Sequence, residues 1–293
     1  MVKLDSSGIP LVVPKSETGT VRLREFEEQG YSVIPDMADE KLLQQTRACV
    51  QRAVAAETEE HLAKTKSPGT LIDSDAFPEL ADLIGNPKAL HELGQMGWED
   101  IKFWKAVIIS KPPGGPRLYW HQDCMTWDDP RSYSNVAPMV FLMYYMEDTS
   151  RHNGCLRVIP KSHRQRISLH DTGVAHDPEI NRIDNPEDLR FADFPGEIDV
   201  PLRAGDLVIG DARMFHAAHS NNSSDSRTVI TIWFYPFFSN LQEAVQSYYH
   251  NAMHTKHENW DNESLAKINS LIPQYAGAVA PMESNRTADV RLK

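Results

Sequence analysis

A histidine and an aspartate separated by one residue stand just after a stretch rich in Pro and Gly. His121 and Asp123 lie in the run Tyr119-Trp120-His121-Gln122-Asp123. Because alternate side chains of a strand point to the same face, the imidazole and the carboxylate can reach one point. Two histidines and one carboxylate on one face of a metal suit non-haem Fe(II) and leave three coordination positions open. A surface turn in which His121 and Asp123 bond only to each other is the competing interpretation.

The second histidine of such a centre must come from a distant part of the chain. His216 lies at the end of a predicted strand, before the polar loop 220–226, where it could meet the first pair of ligands. His219 is the competing candidate, three residues later and in more polar surroundings. Arg227 begins the apolar run that follows, where an unpaired charge is costly. A guanidinium binds a carboxylate through two hydrogen bonds, so an incoming carboxylate is a natural partner; a salt bridge to a surface carboxylate is the alternative.

The elements that would position these residues begin at about residue 101. Short runs rich in β-branched and aromatic residues, bounded by Gly, Pro, Asn or Asp, predict strands. They cover residues 103–110, 136–146, 156–159, 206–210 and 228–235. Since no long helices separate them, they favour an antiparallel sandwich or barrel.

The segments on either side of this β region are predicted to be helical. A helix over 21–30 ends at Gly30 and is followed by a strand over 31–34. A longer helical pattern covers 38–63 and another covers 240–272. The polar region 165–200 is predicted to be a long insertion or lid, and the last twenty residues a loosely held tail.

One domain across residues 1–293 is therefore predicted. Residues 1–100 would form a mostly helical flank, 101–240 the β core, and 241–293 a C-terminal helix and tail. This is a mainly β fold with flanking helices.

Composition excludes several classes of protein. The 293 residues include 30 Lys and Arg against 41 Asp and Glu, a net charge of −11. General nucleic-acid binding needs clustered positive charge, so it is not expected. No apolar run approaches the length of a transmembrane helix, and the first twenty residues do not resemble a secretory signal. Three cysteines at unrelated spacings favour a reducing, cytoplasmic location.

Five segments, in order along the chain, resemble the phytanoyl-CoA dioxygenase family of Fe(II)- and 2-oxoglutarate-dependent oxygenases. The resemblance spans roughly residues 22–240, and in its fourth segment Lys161 stands where Gly is usual. The matching segments are 26–35, 109–114, 120–123, 153–164, and Gly205-Asp206 with His216, Asn221, Ser223 and Arg227.

The resemblance implies a double-stranded β-helix, or jelly-roll, core and a defined set of site residues. His121, Asp123 and His216 match the iron ligands, and the spacing selects His216 over His219. Arg227 matches the residue that pairs with the far carboxylate of 2-oxoglutarate. Because Asp123 is retained, the resemblance argues against halogenation, which replaces this carboxylate by a small residue.

Three further positions concern the cosubstrate. Val107 and Met143 fall where family members have residues that line the 2-oxoglutarate site. The family often has Ser two residues after the distal histidine, but this chain has Ala218. Ser220 or Thr228 could replace the missing hydroxyl.

The resemblance implies an enzyme that uses Fe(II), O2 and 2-oxoglutarate, releases succinate and CO2, and most simply hydroxylates a small organic metabolite, as in natural-product tailoring. Desaturation, cyclisation and epoxidation stay open. A metal-binding jelly roll without oxidative chemistry (a sensor, scaffold or isomerase) is the alternative from a different class. Either a monomer or a homodimer is compatible with the sequence.

Substrate contacts are predicted at Trp127 and Gln122, beside the metal motif. An acyl-CoA thioester would need cations around its phosphates, and the basic stretch 157–166 could supply them or form a solvated strand end. The acidic balance favours a compact uncharged or cationic metabolite.

Two other chemistries are disfavoured. Cys155 has no identifiable His or Asn partner and is predicted to pack in the core. His250, His254 and His257 have helix-like spacing, but without nearby carboxylates a solvated helix is preferred over a metal-binding face.

Overall fold

The computed structural model describes residues 2–173, 176, 178–182, 185, 187–253, 257 and 259–293. The helices are α1 Glu17–Gln29, α2 Glu40–Ala55, α3 Glu59–Lys64, α4 Ala81–Ile84, α5 Pro87–Gln95, α6 Glu243–Met253 and α7 Asn262–Ile268. The strands are β1 Tyr31–Ile34, β2 Ile72–Asp73, β3 Lys102–Lys111, β4 Leu118–His121, β5 Val140–Tyr145, β6 Leu156–Val158, β7 Ile198–Val200, β8 Leu207–Asp211, β9 His216–Ala218 and β10 Arg227–Tyr235.

The strands form two antiparallel sheets that pack face to face. The six-stranded sheet has the order β1-β8-β5-β10-β3-β2, and the four-stranded sheet has the order β4-β9-β6-β7. Met143 of β5 and Val229 of β10 lie in one buried cluster with Leu156 of β6 and Val200 of β7, so side chains of both sheets fill the space between them. This arrangement is a jelly roll with flanking helices, which confirms the predicted fold class.

Helices cover the outer face of the six-stranded sheet. Phe26 of α1, Leu43 of α2 and Leu93 of α5 are buried together with Ile209 of β8 and Ile230 of β10. The sheet is therefore apolar on both faces. For this reason β10 reads in the sequence as an almost continuous apolar run, because neither face of the strand meets water.

The junction between α1 and β1 shows how local sequence sets the entry into the sheet. Ser16 caps the N-terminus of α1 by accepting a hydrogen bond from the Gly19 N–H, 3.0 Å away. Gly30 ends the helix at φ 92°, in the left-handed region that favours glycine. The chain can therefore reverse within one residue and begin β1, as predicted.

Several predicted elements differ from the structure, including the pattern over 240–272, which contains both α6 and α7. The helical pattern over 38–63 is two helices, because residues 56–58 leave the helix and Thr58 caps α3 by accepting from the His61 N–H. The strand predicted over 136–146 covers only β5, because Pro138 has no N–H to donate to a sheet.

The flank and the tail are tied to the β core. β1 pairs with β8, and β2 pairs with β3, so residues 1–100 supply two edge strands of the large sheet. The prediction of a loosely held tail is wrong: Ala288 and Leu292 are buried. The tail backbone also bonds to the chain beside the metal motif, since the Asn285 N–H donates to Met125 O at 2.9 Å.

The described residues of the polar region 165–200 are largely irregular, as predicted for an insertion. Short 3-10 helices occupy 168–171 and 180–182, and β7 then returns to the four-stranded sheet by pairing with β6. Across the residues that the structure describes, no helix is long and apolar enough to cross a membrane.

Candidate metal centre

Strand register brings the two predicted histidine ligands together. β4 and β9 are antiparallel neighbours, and His121 lies directly opposite His216 in their ladder. The two imidazole rings have centroids 4.1 Å apart, and both side chains are buried. A cross-strand pair therefore unites residues that are 95 positions apart in the sequence (216 − 121).

Hydrogen bonds to backbone carbonyls fix the tautomer of both rings. His121 Nδ1 lies 3.0 Å from Tyr119 O, and His216 Nδ1 lies 3.1 Å from Met214 O. Since a carbonyl can only accept, each Nδ1 carries the proton and each Nε2 keeps its lone pair. Burial lowers the pKa of both imidazoles, which keeps them neutral and able to bind a metal.

Asp123 completes the group between the two Nε2 atoms. Its Oδ1 lies 3.8 Å from His121 Nε2, and its Oδ2 lies 3.7 Å from His216 Nε2. Its N–H donates to Ala212 O at 2.8 Å, and Trp233 Nε1 donates to Oδ2 at 2.8 Å. Burial acts to raise the pKa of Asp123, but His216 and the other facing imidazoles outweigh it, so this pKa is lowered and the carboxylate is ionised.

His176, which the sequence analysis did not select, also faces Asp123. Its Nε2 lies 3.2 Å from Asp123 Oδ1, and its Nδ1 lies 3.2 Å from Tyr119 Oη. Ligand atoms of His121, Asp123 and His176 all lie within 4.8 Å of one another. His176 belongs to the insertion 165–200, and only its position in that predicted lid could have drawn attention to it. The path of an irregular segment is not encoded in sequence periodicity.

A cavity of about 80 Å³ adjoins these residues, and Arg227 is part of its lining. The Arg227 side chain is buried, and its Nε has no hydrogen-bond partner. Among the described residues, no carboxylate lies within 4.0 Å of its guanidinium, and the Tyr145 ring lies 5.9 Å below it. Burial lowers the pKa of Arg227, partly offset by Tyr145 and Glu147. An unpaired buried guanidinium in the wall of a cavity suits a carboxylate ligand.

The cavity contains one of the two predicted lining residues. Met143 lines it together with Ile109, whereas Val107, two residues earlier on β3, lines the adjoining outer cavity. Ala218 also lines the inner cavity. This arrangement follows from the alternation of β3, which places Val107 and Ile109 on the same face at different depths.

Neither predicted substitute for the missing serine hydroxyl reaches the cavity. Thr228 Oγ1 lies 3.0 Å from Ser110 Oγ on the opposite face of β10, and Ser220 Oγ accepts from Asn222 Nδ2 at 3.3 Å. The threonine on the cavity face is Thr231, whose Oγ1 is buried without a hydrogen-bond partner. Thr231 lies four residues after Arg227 on β10. Because alternate residues of a strand share a face, this even spacing could have predicted that Thr231 faces the same cavity as Arg227.

The two predicted substrate contacts do not lie in this cavity. Trp127 is completely buried in a core cluster and packs on Tyr133, with ring centroids 5.4 Å apart. Gln122 points to the opposite side of the strand from its neighbours, donates to Arg213 O, and lies near His170. Neither residue lines the cavity, because strand alternation turns Gln122 away and the C-terminal tail covers Trp127.

Two residues that were weighed for other roles lie outside the centre. Cys155 is buried, as predicted, although its Sγ lies within 4.8 Å of ligand atoms of Asp199 and His219; burial raises its pKa to about 11. His219 Nε2 lies 2.6 Å from Asp199 Oδ1, away from the metal motif.

One of the three C-terminal histidines differs from the prediction of a solvated helix. His257 is buried against Trp260 and is not solvated. His254 lies outside the described residues.

Two of the four cations in the basic stretch 157–166 are already paired with carboxylates. Arg157 is buried, stacks on Trp120 at 4.6 Å, and donates to Glu197 and Asp193. Arg166 donates to Asp171. These cations are neutralised within the fold.

Curated relatives include enzymes of related chemistry. Over 236 residues the chain is 24% identical to an ectoine dioxygenase of Nocardia farcinica, covering 74% of this chain and 78% of that one. It is 27% identical over 157 residues to an ectoine dioxygenase of Bordetella bronchiseptica, covering 50% of each.

Solved structures share the fold. The epimerase SnoN of nogalamycin biosynthesis, described as non-haem and α-ketoglutarate-dependent, superposes with a TM-score of 0.56 at 18% identity, covering 74% of this chain and 82% of that one. HygX of Streptomyces hygroscopicus superposes with a TM-score of 0.55 at 17% identity, covering 77% and 88%.

The family model for phytanoyl-CoA dioxygenase matches residues 26–229, which is more than half of the chain and includes every residue of the metal centre. The chain therefore belongs to the phytanoyl-CoA dioxygenase family and is an oxygenase that depends on Fe(II), 2-oxoglutarate and O2.

Proposed function

We propose that this enzyme hydroxylates a small organic metabolite at the centre formed by His121, Asp123 and His216. The observation that carries the proposal is the convergence of these three side chains in the cavity that the unpaired Arg227 also lines. The donor set fits Fe(II), because two neutral imidazoles present free Nε2 lone pairs beside an ionised carboxylate. When bound, Fe(II) and 2-oxoglutarate supply the oxidising chemistry, in which O2 converts 2-oxoglutarate to succinate and CO2 and oxidises the substrate.

The residues around the ligands hold them in place. Trp233 and His176 bond to the two oxygens of Asp123, so the carboxylate cannot rotate freely. The backbone carbonyls that accept from the histidine Nδ1 atoms orient both rings. Such outer contacts raise metal affinity because the ligands need little reorganisation on binding.

Arg227 would bind the far carboxylate of 2-oxoglutarate. Met143 and Ile109 supply apolar walls, and Thr231 presents a free hydroxyl to the same space. We assign to Thr231 the hydrogen bond that the family often takes from the serine replaced here by Ala218. A closed apolar surround strengthens these polar contacts by excluding water.

Hydroxylation is the simplest reaction for this centre, although proteins of the same fold are described as catalysing other reactions. SnoN is described as an epimerase and SnoK as a carbocyclase. An acyl-CoA substrate is less well supported, since two of the four cations of the 157–166 stretch, Arg157 and Arg166, are already paired with carboxylates.

Succinate formation by purified protein with Fe(II) and 2-oxoglutarate tests the proposal. His121→Ala should abolish it, because the metal loses one of its three protein ligands. His219→Asn is the matched control and should retain it, because His219 bonds to Asp199 outside the centre. Sustained turnover by His121→Ala would exclude this centre. Absence of succinate from the wild type would favour a metal-binding module without oxidative chemistry.

A further inference from the structure

An outer cavity continues from the metal centre towards the surface. It has a volume of about 180 Å³ and shares Asp123, His176 and Trp233 with the inner cavity. Its remaining lining residues are Leu71, Trp104, Lys105, Val107 and Arg286. Arg286 comes from the C-terminal tail, so a segment remote from the metal motif completes the entrance.

The tail holds Arg286 in a defined position. The preceding residue, Asn285, bridges to Thr126, and its side chain donates to Asp128 Oδ1 at 2.7 Å. The buried Ala288 anchors the chain on the other side. Arg286 is therefore fixed by contacts on both sides, in a segment that runs directly beside the residues following Asp123.

The lining of the outer cavity contains one positive charge that no carboxylate of the described residues neutralises. Lys105 forms an ion pair with Asp73 at 2.6 Å. Within the described part of the chain, Arg286 has no carboxylate within 4.0 Å and no hydrogen bond from its side chain. Asp123, the carboxylate lining both cavities, already has Trp233 and His176 as hydrogen-bond partners and faces His121 and His216. An anion entering this space would meet one unneutralised cation.

The walls beside Arg286 are apolar and aromatic. The indoles of Trp104 and Trp233 lie at a centroid distance of 5.9 Å with their planes 61° apart, and Leu71 and Val107 complete the surface. Such walls bind an apolar body by burying its surface, while a polar group at one end fixes its orientation.

We propose that Arg286 is a specificity-determining residue that binds a carboxylate of the substrate, whose apolar body rests against Trp104 and Trp233. The substrate class is thus a compact organic acid. This inference rests on the proposed function. It departs from the preference for an uncharged or cationic metabolite that the net charge of −11 suggested. Surface charges further away than about 8 Å are largely screened at physiological ionic strength, so the nearby Arg286, and not the net charge, determines which charge of substrate the cavity prefers.

A pair of probes of equal shape tests this assignment by binding. Cyclohexanecarboxylate and cyclohexanecarboxamide differ in charge but not in their apolar ring. Tryptophan fluorescence, with Fe(II) and 2-oxoglutarate present and O2 excluded, reports binding because two indoles line the cavity. A charge-assisted hydrogen bond contributes about 1.5–3 kcal/mol, so the carboxylate should bind about 10- to 100-fold more tightly than the amide.

The variant Arg286→Gln should remove that difference by weakening the carboxylate alone. Arg291→Gln is the matched control, since this second tail arginine pairs with Asp289 and stacks on Tyr133 at the surface. Equal affinity for the two probes in the wild type, no binding of the carboxylate at millimolar concentration, or an unchanged carboxylate affinity in Arg286→Gln would each overturn the proposal.

Turnover separates this inference from the proposed function. Compact organic acids should stimulate succinate formation by the wild type, and Arg286→Gln should lose that stimulation, whereas Arg291→Gln should keep it. If the wild type forms no succinate at all, the proposed function fails, whereas the probe titration still decides the role of Arg286.

Discussion

Removal of the indole N–H of Trp233 should weaken metal binding while leaving the cavity wall in place. Trp233 Nε1 donates to Asp123 Oδ2 at 2.8 Å, and that carboxylate is buried. Trp233→Phe keeps an aromatic ring beside Trp104 but removes the donor. The freed oxygen then has no equivalent partner, so the carboxylate gains rotational freedom and its pKa rises.

The expected size follows from the charge of the acceptor. A hydrogen bond to an ionised group contributes about 1.5–3 kcal/mol, which is about 10- to 100-fold in a dissociation constant. Loss of outer contacts to metal ligands typically costs 10- to 100-fold in affinity, in agreement with this range.

Calorimetric titration of the metal-free protein with Mn(II), a redox-stable substitute for Fe(II), measures the effect. Trp104→Phe is the matched control, because its ring lines the same cavity without bonding to Asp123. Its dissociation constant should equal that of the wild type. Thermal unfolding of both variants shows whether the fold is preserved. A folded Trp233→Phe that binds Mn(II) as tightly as the wild type would refute the reasoning.

Three other perturbations test separate parts of the structure. Arg227→Gln should raise the 2-oxoglutarate concentration for half-maximal succinate formation by about 10- to 100-fold, with Mn(II) affinity unchanged; an unchanged requirement would remove Arg227 from the cosubstrate site. Arg213→Leu leaves the buried Asp211 unpaired and should lower the free energy of unfolding in urea by about 3–5 kcal/mol, which Asp211→Asn/Arg213→Leu should partly restore. Burial lowers the pKa of His163 to about 4 from an ordinary value of 6.5. Between these pH values the unfolded chain binds a proton at His163 that the folded chain does not, so the free energy of unfolding is highest above pH 6.5 and falls as the pH is lowered towards 4. Urea unfolding of His163→Gln should show a shallower loss over that window, by up to about 1.4 kcal/mol per pH unit, and an identical slope would contradict the shift.

Much of the fold and part of the centre could be predicted from local pattern. The helix that ends at Gly30 depends on one residue able to adopt a left-handed conformation. The strands of the core are visible because apolar and β-branched runs stop at Gly, Pro, Asn and Asp. His121 and Asp123 could be paired because alternation in a strand puts them on one face. These features involve residues that are close in the sequence.

The same alternation explains why Gln122, one of the two predicted substrate contacts, does not line the cavity. Gln122 lies between the two metal-motif residues and for that reason must point away from them. Trp127 lies beyond the strand, where the chain turns and the tail buries it. Proximity in sequence to a functional residue predicts proximity in space only when the side chain shares its face.

By itself, the sequence determined the elements, the family resemblance and which residue types are available for metal and carboxylate binding. Only the tertiary structure decided that the β4–β9 register sets His121 opposite His216, that His176 reaches Asp123 from the insertion, and that the tail brings Arg286 to the entrance. The physical reason is that periodicity reports which face of an element is buried. Register and loop path depend instead on contacts between segments that are far apart in the chain, and the packing of the two sheets selects them.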